Sequence, residues 1–190
     1  EDLSMITEQA ERCRNIVSGL LNFARKNKIV LKATDMRNLI DRCLKAIIKP
    51  AEISITVNHN VQDPVAEVDA DQIIQVLTNL IMNAIEAMPE GGEINIRTEE
   101  ANGMIQLAVA DNGPGIPENV IQKIFEPLFT TKQIGKGTGL GLAVTYGIIK
   151  MHHGQIDVQS NTDASRQQTG TTFIVSLPKK DRSTSTENES

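Results

Sequence analysis

Asn79 and Asn83 stand four residues apart in a stretch with helical periodicity, so their amides project from one face, one turn apart. An amide oxygen is a hard ligand suited to Mg2+, and the amide NH2 can donate to a phosphate or a water. Gln72, Gln75 and Glu86 fall on the same stripe, about 80° wide. A solvated face is more commonly filled with Lys and Glu, which form helices better than Asn. By itself the stripe fits either a ligand site or plain surface polarity. Asp111 opens a second candidate, Asp111-Asn112-Gly113-Pro114-Gly115-Ile116, directly behind the apolar run Ile105 to Ala110. Gly113 and Gly115 permit positive φ and let a flat ligand approach the backbone, although an ordinary Asx turn uses the same residue types. A third candidate is Gly135-Lys136-Gly137-Thr138-Gly139-Leu140-Gly141-Leu142, which runs into an apolar helix. Backbone N–H groups at such a helix start attract anionic phosphates. The loop matches neither GxxxxGK[ST] nor a strand-borne GxGxxG. Between the two loops, residues 124–132 carry two of the four phenylalanines, Phe125 and Phe129, in a polar neighbourhood. They fit a lid pinned to the core or an ordinary packed loop.

These groups need elements to hold them. Ile73, Ile74, Val76, Leu77, Leu80, Ile81, Ala84, Ile85 and Met88 share one arc of a helix over 69–88, which makes that arc core and turns the asparagines away from it. Pro89-Glu90-Gly91-Gly92 ends this helix. Residues 93–100 and 104–110 read as a hairpin through Asn102-Gly103, a type I′ signal, and 155–160 with 171–177 as closing strands. Upstream, Thr34-Asp35 caps a helix through Ile47, and Ile53, Ile55 and Val57 alternate as a half-buried strand before a short Val65-to-Val68 segment. Residues 111–139 are too long for a plain connection, which points to a functional loop, and a helix is expected over 138–151. Before all of this, Leu3, Ile6, Ala10, Cys13, Val17, Leu20 and Ala24 are spaced 3, 4, 3, 4, 3, 4, the seam of a helical bundle. Docking of that helix on its own domain is the alternative. The expected boundaries are 1–27 for this helix, 28–178 for one domain, and 179–190 for a polar tail expected to be disordered.

Taken in order, NLIMNAIEAM at 79–88, DNGPGI at 111–116, FEPLFTTK at 125–132 and GTGLGL at 137–142 resemble the N, G1, F and G2 boxes of the sensor histidine kinases, whose ATP-binding fold is shared with DNA gyrase and MutL. ERCRNIVSGLLNFAR at 11–25 is similar to the second helix of that family's dimerisation and phosphotransfer hairpin. The resemblance implies an α+β, two-layer sandwich: a mixed, mostly antiparallel sheet covered on one face by three helices. It implies that Asn83 coordinates Mg2+, that Asn79 supports metal and phosphates, and that Asp111 accepts from the adenine amine. Gly113, Gly115 and Ile116 would shape the base pocket, and Gly137, Gly139 and Gly141 would hinge a lid with Thr138, Leu140 and Leu142. Lys132 becomes a γ-phosphate contact and Lys136 a weaker one, with Phe125, Phe129, Thr131 and Thr172 completing the ATP site. Many members carry Lys or Arg three residues after the magnesium Asn. Glu86 stands there instead, as in the branch resembling nitrogen-regulation sensors, which puts a phosphate contact at 86 in doubt.

In that family the nucleophile is a histidine on the first hairpin helix, which this sequence lacks; His59, His152 and His153 read as structural. The expected activity is therefore that of an ATP-dependent protein histidine kinase fragment without its phosphoacceptor. ATP and Mg2+ would be its cofactors, and its partners a response regulator receiver domain and a second copy of the parent kinase. A gyrase-type ATPase would need a glutamate base four residues before Asn83, where Asn79 stands. A nucleotide-binding scaffold is the non-enzymatic alternative. Net charge −5, from 24 acidic and 19 basic residues, disfavours nucleic acid as a partner. Cys13 and Cys43 lack CxxC spacing, no apolar run approaches a membrane span, and the chain starts inside a helical pattern without Met. These features lead to the expectation of a cytoplasmic piece of a longer protein, whose membrane anchor, if it has one, lies in a segment not present here, with buried reduced thiols.

Overall fold

The computed structural model describes residues 29–132, 137–165 and 168–179. The expected bundle helix over 1–27, with Cys13, lies outside the described residues, as do Lys136 and the tail from 180.

The described chain begins with β1 (Lys32–Asp35) and α1 (Met36–Ala46). Asp35 closes the start of α1 by accepting from the N–H groups of Arg37 at 2.8 Å and Asn38 at 3.3 Å, which satisfies two donors that a helix start leaves open. Strand β2 (Ile53–Asn60) and β3 (Val65–Val68) follow, then α2 (Ala70–Ala87), which Asp69 caps through the Gln72 N–H. The hairpin of β4 (Gly92–Ala101) and β5 (Met104–Asp111) turns at Asn102 and Gly103, whose φ of 53° and 72° are those of the expected type I′ turn. A short α3 (Glu118–Ile121), α4 (Gly141–Met151), β6 (Gln155–Asn161) and β7 (Gly170–Pro178) complete the fold.

The main sheet has the order β2-β4-β5-β7-β6, with β2 parallel to β4 and every other pairing antiparallel. Its pleat sorts the residues: Ile94, Ile96, Ile105, Leu107, Val109, Phe173, Val175 and Leu177 are buried, whereas Glu93, Asn95 and Arg97 are exposed. The buried side meets Leu39, Ile40 and Cys43 of α1, Ile73, Val76, Leu77, Leu80 and Ile81 of α2, and Ile148 and Ile149 of α4. Each such side chain contributes about 1.5–3 kcal/mol by leaving water. This is the expected α+β sandwich, with three longer helices on one face of a mixed sheet.

Several boundaries differ from the sequence expectation. Lys32–Asp35 is a strand as well as a capping segment, because it pairs antiparallel with β3 in a separate two-stranded sheet. Helix α4 starts at Gly141 rather than 138, since Gly139 takes φ +66° and breaks the helical path. Residues 118–121 form a helical turn inside the stretch 111–139 that the sequence reads as a loop. Lys179 is held as well: its backbone bridges Ala66 and its Nζ lies 2.6 Å from Glu100.

Candidate nucleotide site

A cleft of about 660 Å3 opens between α2, the loop after β5, the 125–132 segment and the start of α4. That volume suits a small organic ligand.

At one end stands Asp111, the last residue of β5. Its Oδ1 accepts from the N–H of Gly113 at 2.9 Å and of Thr171 at 3.2 Å, so the carboxylate is fixed by two backbone donors from different elements. Neither bond uses Oδ2, which is left to accept from a ligand. Burial pushes the Asp111 carboxyl above its ordinary value, and the two N–H groups oppose that rise. The loop that follows is packed backbone against backbone. Gly115 has φ +77°, and a Cβ there would come within 2.3 Å of the Asn161 carbonyl oxygen. The Ile116 N–H donates to Ser160 Oγ at 2.7 Å, and Ser160 Oγ donates to the Gly170 carbonyl at 2.9 Å.

At the other end, α2 presents Asn79, Asn83 and Glu86. The Asn79 amide nitrogen donates to the Gly141 carbonyl at 3.1 Å and reaches Thr145 Oγ1 at 3.3 Å, which ties α2 to the first turn of α4. Asn83 Oδ1 accepts from Lys132 Nζ at 3.2 Å, and the same ammonium forms an ion pair with Glu86. Helix α4 has no side-chain cap on its N-terminal N–H groups, which leaves donors open at the cleft wall. The two intervening segments are joined where the Leu128 N–H donates to the Gly139 carbonyl at 3.0 Å. Gly139 has no room for a side chain there, since a Cβ would lie 2.4 Å from the Leu128 carbonyl carbon.

Of the residues anticipated from sequence, the cleft brings together Asn79, Asn83, Asp111, Gly115, Ile116, Phe129, Thr131, Lys132, Gly137, Thr138, Gly139, Gly141 and Leu142. Gly113 stands behind Asp111 and contributes its N–H. Leu140 is buried at 5% exposure. Phe125 packs on the core and against Tyr146, ring centroids 5.5 Å apart, outside the cleft lining. Thr172 is corrected to Thr171: strand alternation sends Thr171 and Phe173 to the helix side and Thr172 to the opposite face of the sheet. Glu86, Val120, Ile124 and Thr130 also line the cleft. Val120 is half-buried in the short α3, and Ile124 is buried just beyond its end. His59 bonds Thr98 Oγ1 at 2.8 Å and is half-buried, His152 is 2% exposed, and His153 is exposed.

The family model described as histidine kinase-, DNA gyrase B-, and HSP90-like ATPase matches residues 68–181. The sensor kinase CckA of Brucella abortus (strain 2308) is 37% identical over 196 residues, covering 94% of this chain and 20% of CckA. The sensor histidine kinase ZraS of Escherichia coli (strain K12) is 36% identical over 177 residues, covering 92% of this chain and 37% of ZraS. The chain thus spans a fifth to somewhat over a third of these curated relatives. Among solved structures, histidine kinase ThkA in complex with response regulator protein TrrA matches with a TM-score of 0.75 and 30% identity, over 93% of this chain and 50% of that one.

Proposed function

Because the chain belongs to the histidine kinase-, DNA gyrase B-, and HSP90-like ATPase family and carries a histidine kinase type of ATP-binding domain, we propose that it binds Mg-ATP and presents the γ-phosphate to a histidine of a hairpin helix. The observation that carries this reading is one cleft with an oriented carboxylate at one end and an amide oxygen beside a lysine at the other. In this reading Asp111 Oδ2 accepts from the adenine amine, Ile116 and Phe129 flank the base, and the open N–H groups of α4 with Lys132 and Thr131 face the phosphates. Asn83 Oδ1 is the metal ligand. It already faces a cation, the Lys132 ammonium, so its oxygen is turned the right way. Among the described residues no cluster of three or more His, Cys, Asp or Glu could hold a metal. Mg2+ would therefore take its other ligands from phosphate and water, as it commonly does. Bound there, it would neutralise phosphate charge during transfer.

Asn83→Asp tests the metal assignment: calorimetry should show weakened nucleotide binding with altered magnesium dependence, while unchanged values would remove Asn83 from the metal. A hydrolase of the gyrase kind is disfavoured, because Asn79 occupies the place of the water-activating glutamate and spends its amide on α4. The relay partner is a response regulator receiver domain, in line with ThkA, which was solved in complex with response regulator protein TrrA. In this proposal residues 1–27, expected from the sequence to be the second hairpin helix, pair the parent kinase as a dimer. Sedimentation of a 29–190 fragment should find a monomer with full ATP affinity, and lost affinity would place the helix in the nucleotide domain. No described helix is long and apolar enough to cross a membrane, and action of this domain on the cytoplasmic side is part of the same proposal.

A further inference from the structure

Glu86 lines the nucleotide cleft with a carboxylate, the wrong sign for a phosphate neighbour, and the reading above gives it no task. It pairs with Lys132, and the same Lys132 ammonium lies 3.2 Å from Asn83 Oδ1. Asn83 and Glu86 are three residues apart on α2, so both point to the same patch of cleft. Lys132 is further confined along its stem: a Cβ on Gly137 would meet Lys132 Cδ at 3.1 Å and Thr130 Oγ1 at 2.9 Å. The lysine is thus laid across α2 by a charge partner and by the glycine loop.

We propose that Glu86 is a positioning residue that holds Lys132 on Asn83, so that the ammonium stands in for the divalent cation until Mg-nucleotide displaces it. The inference rests on Asn83 as the magnesium ligand. An ammonium and a magnesium ion on the same amide oxygen repel each other, so magnesium binding works against the ammonium at Asn83 and frees it for the phosphates. Glu86 sets the strength of that competition. It also gives a physical task to an acidic residue at a place where a cation would have served phosphate binding directly. Without metal, the lysine keeps the electronegative patch formed by Asn83 and Glu86 neutralised, and the 125–132 segment stays anchored to α2.

The test is the magnesium concentration that half-saturates ADP binding, followed by calorimetry, because ADP lacks the γ-phosphate that Lys132 would otherwise contact. Lys132→Met keeps the stem beside Gly137 and removes the ammonium. It should lower the half-saturating magnesium by about two- to fivefold, the range a partly exposed ion pair supplies. Glu86→Gln should lower it in the same direction in the otherwise unchanged chain and leave it unmoved in the Lys132→Met background. A midpoint that stays the same or rises in Lys132→Met overturns the proposal, as does a Glu86→Gln effect of equal size in both backgrounds, which would mean that Glu86 acts on the ligand directly. If Asn83→Asp alters magnesium dependence while Lys132→Met does not, the nucleotide reading stands and the stand-in fails. Absence of magnesium-dependent ADP binding in the unaltered chain overturns both.

Discussion

The two ends of the cleft are built in different ways. Around Asp111 the contacts come from backbone: the N–H groups of Gly113 and Thr171 fix the carboxylate, Gly115 presses on the Asn161 carbonyl, and Gly170 on the Asp111 carbonyl. Around Asn83 they come from side chains on different elements, with Lys132, Glu86 and Asn79 reaching across gaps between α2, α4 and the 125–132 segment. Backbone contacts of this kind are fixed once the strands pair, whereas side-chain ion pairs at partial exposure are weak and exchangeable. The comparison teaches that the Asp111 end is held by backbone contacts and the Asn83 end by weaker, exchangeable side-chain contacts. Under the proposed function, a rigid base pocket would orient the nucleotide while the groups that meet charge could change partners.

The largest expected break in this contrast is at the base end. Gly170 has φ +147°, and a Cβ there would lie 2.0 Å from the Asp111 carbonyl oxygen; Gly115 has φ +77° and would meet Asn161 at 2.3 Å. Gly115→Ala combines an overpacked contact with left-handed backbone, each costing on the order of 1–3 kcal/mol. Urea unfolding should therefore show a loss of about 3 kcal/mol together with weakened nucleotide binding. Gly137→Ala meets mainly the flexible Lys132 and Thr130 side chains, so it should cost less. Equal losses at the two positions would end the distinction.

Much of this was legible beforehand, for identifiable reasons. The 3.6-residue period of α2 and the Asn-Gly turn are local signals, and the fold obeys them. Asp111, Asn83 and the glycines stand out because charge, amide chemistry and missing side chains are visible one residue at a time, and the resemblance to the four boxes supplied their expected roles. What escaped depends on geometry between distant segments. Thr171 rather than Thr172 enters the site because of strand phase, which a one-residue shift reverses. The Glu86–Lys132 pair joins residues 46 apart in sequence, and no spacing rule links them. The β1 strand was hidden because its four residues pair with an equally short segment 30 or more positions away.

A middle-sized effect sharpens the base end itself. Asp111→Asn can keep an oxygen toward Gly113 and Thr171, but then its NH2 takes the position of Oδ2 and faces the adenine amine, donor against donor. The expected cost to ATP binding is about 1–3 kcal/mol, with little change for inorganic triphosphate. An equal loss for both ligands would detach Asp111 from the base.

The smallest expected effect belongs to the joint beneath the phosphate end, and it is a pH effect. The buried His152 accepts the Asp69 N–H on Nε2 at 3.0 Å, so Nδ1 carries the proton and donates to the Ile148 carbonyl at 2.8 Å. This joins the cap of α2 to the last turn of α4, the two helices that Asn79 ties at their other contact. Burial lowers the His152 value below its ordinary 6.5; the Ile148 carbonyl and Asp69 pull it back up, and His153 pushes it further down. The neutral ring is thus favoured by the fold. Its contribution is fully present above the unfolded value near 6.5 and is lost as pH falls toward and through the lower folded value, because the unfolded chain binds the proton first. Urea midpoints measured from about pH 8 down to about pH 5 should decline through this window. His152→Gln, which cannot titrate, should lose that part of the slope while the steeper acid losses of the carboxylates remain. A slope identical in both chains would mean that protonation of His152 is not what lowers stability in this window.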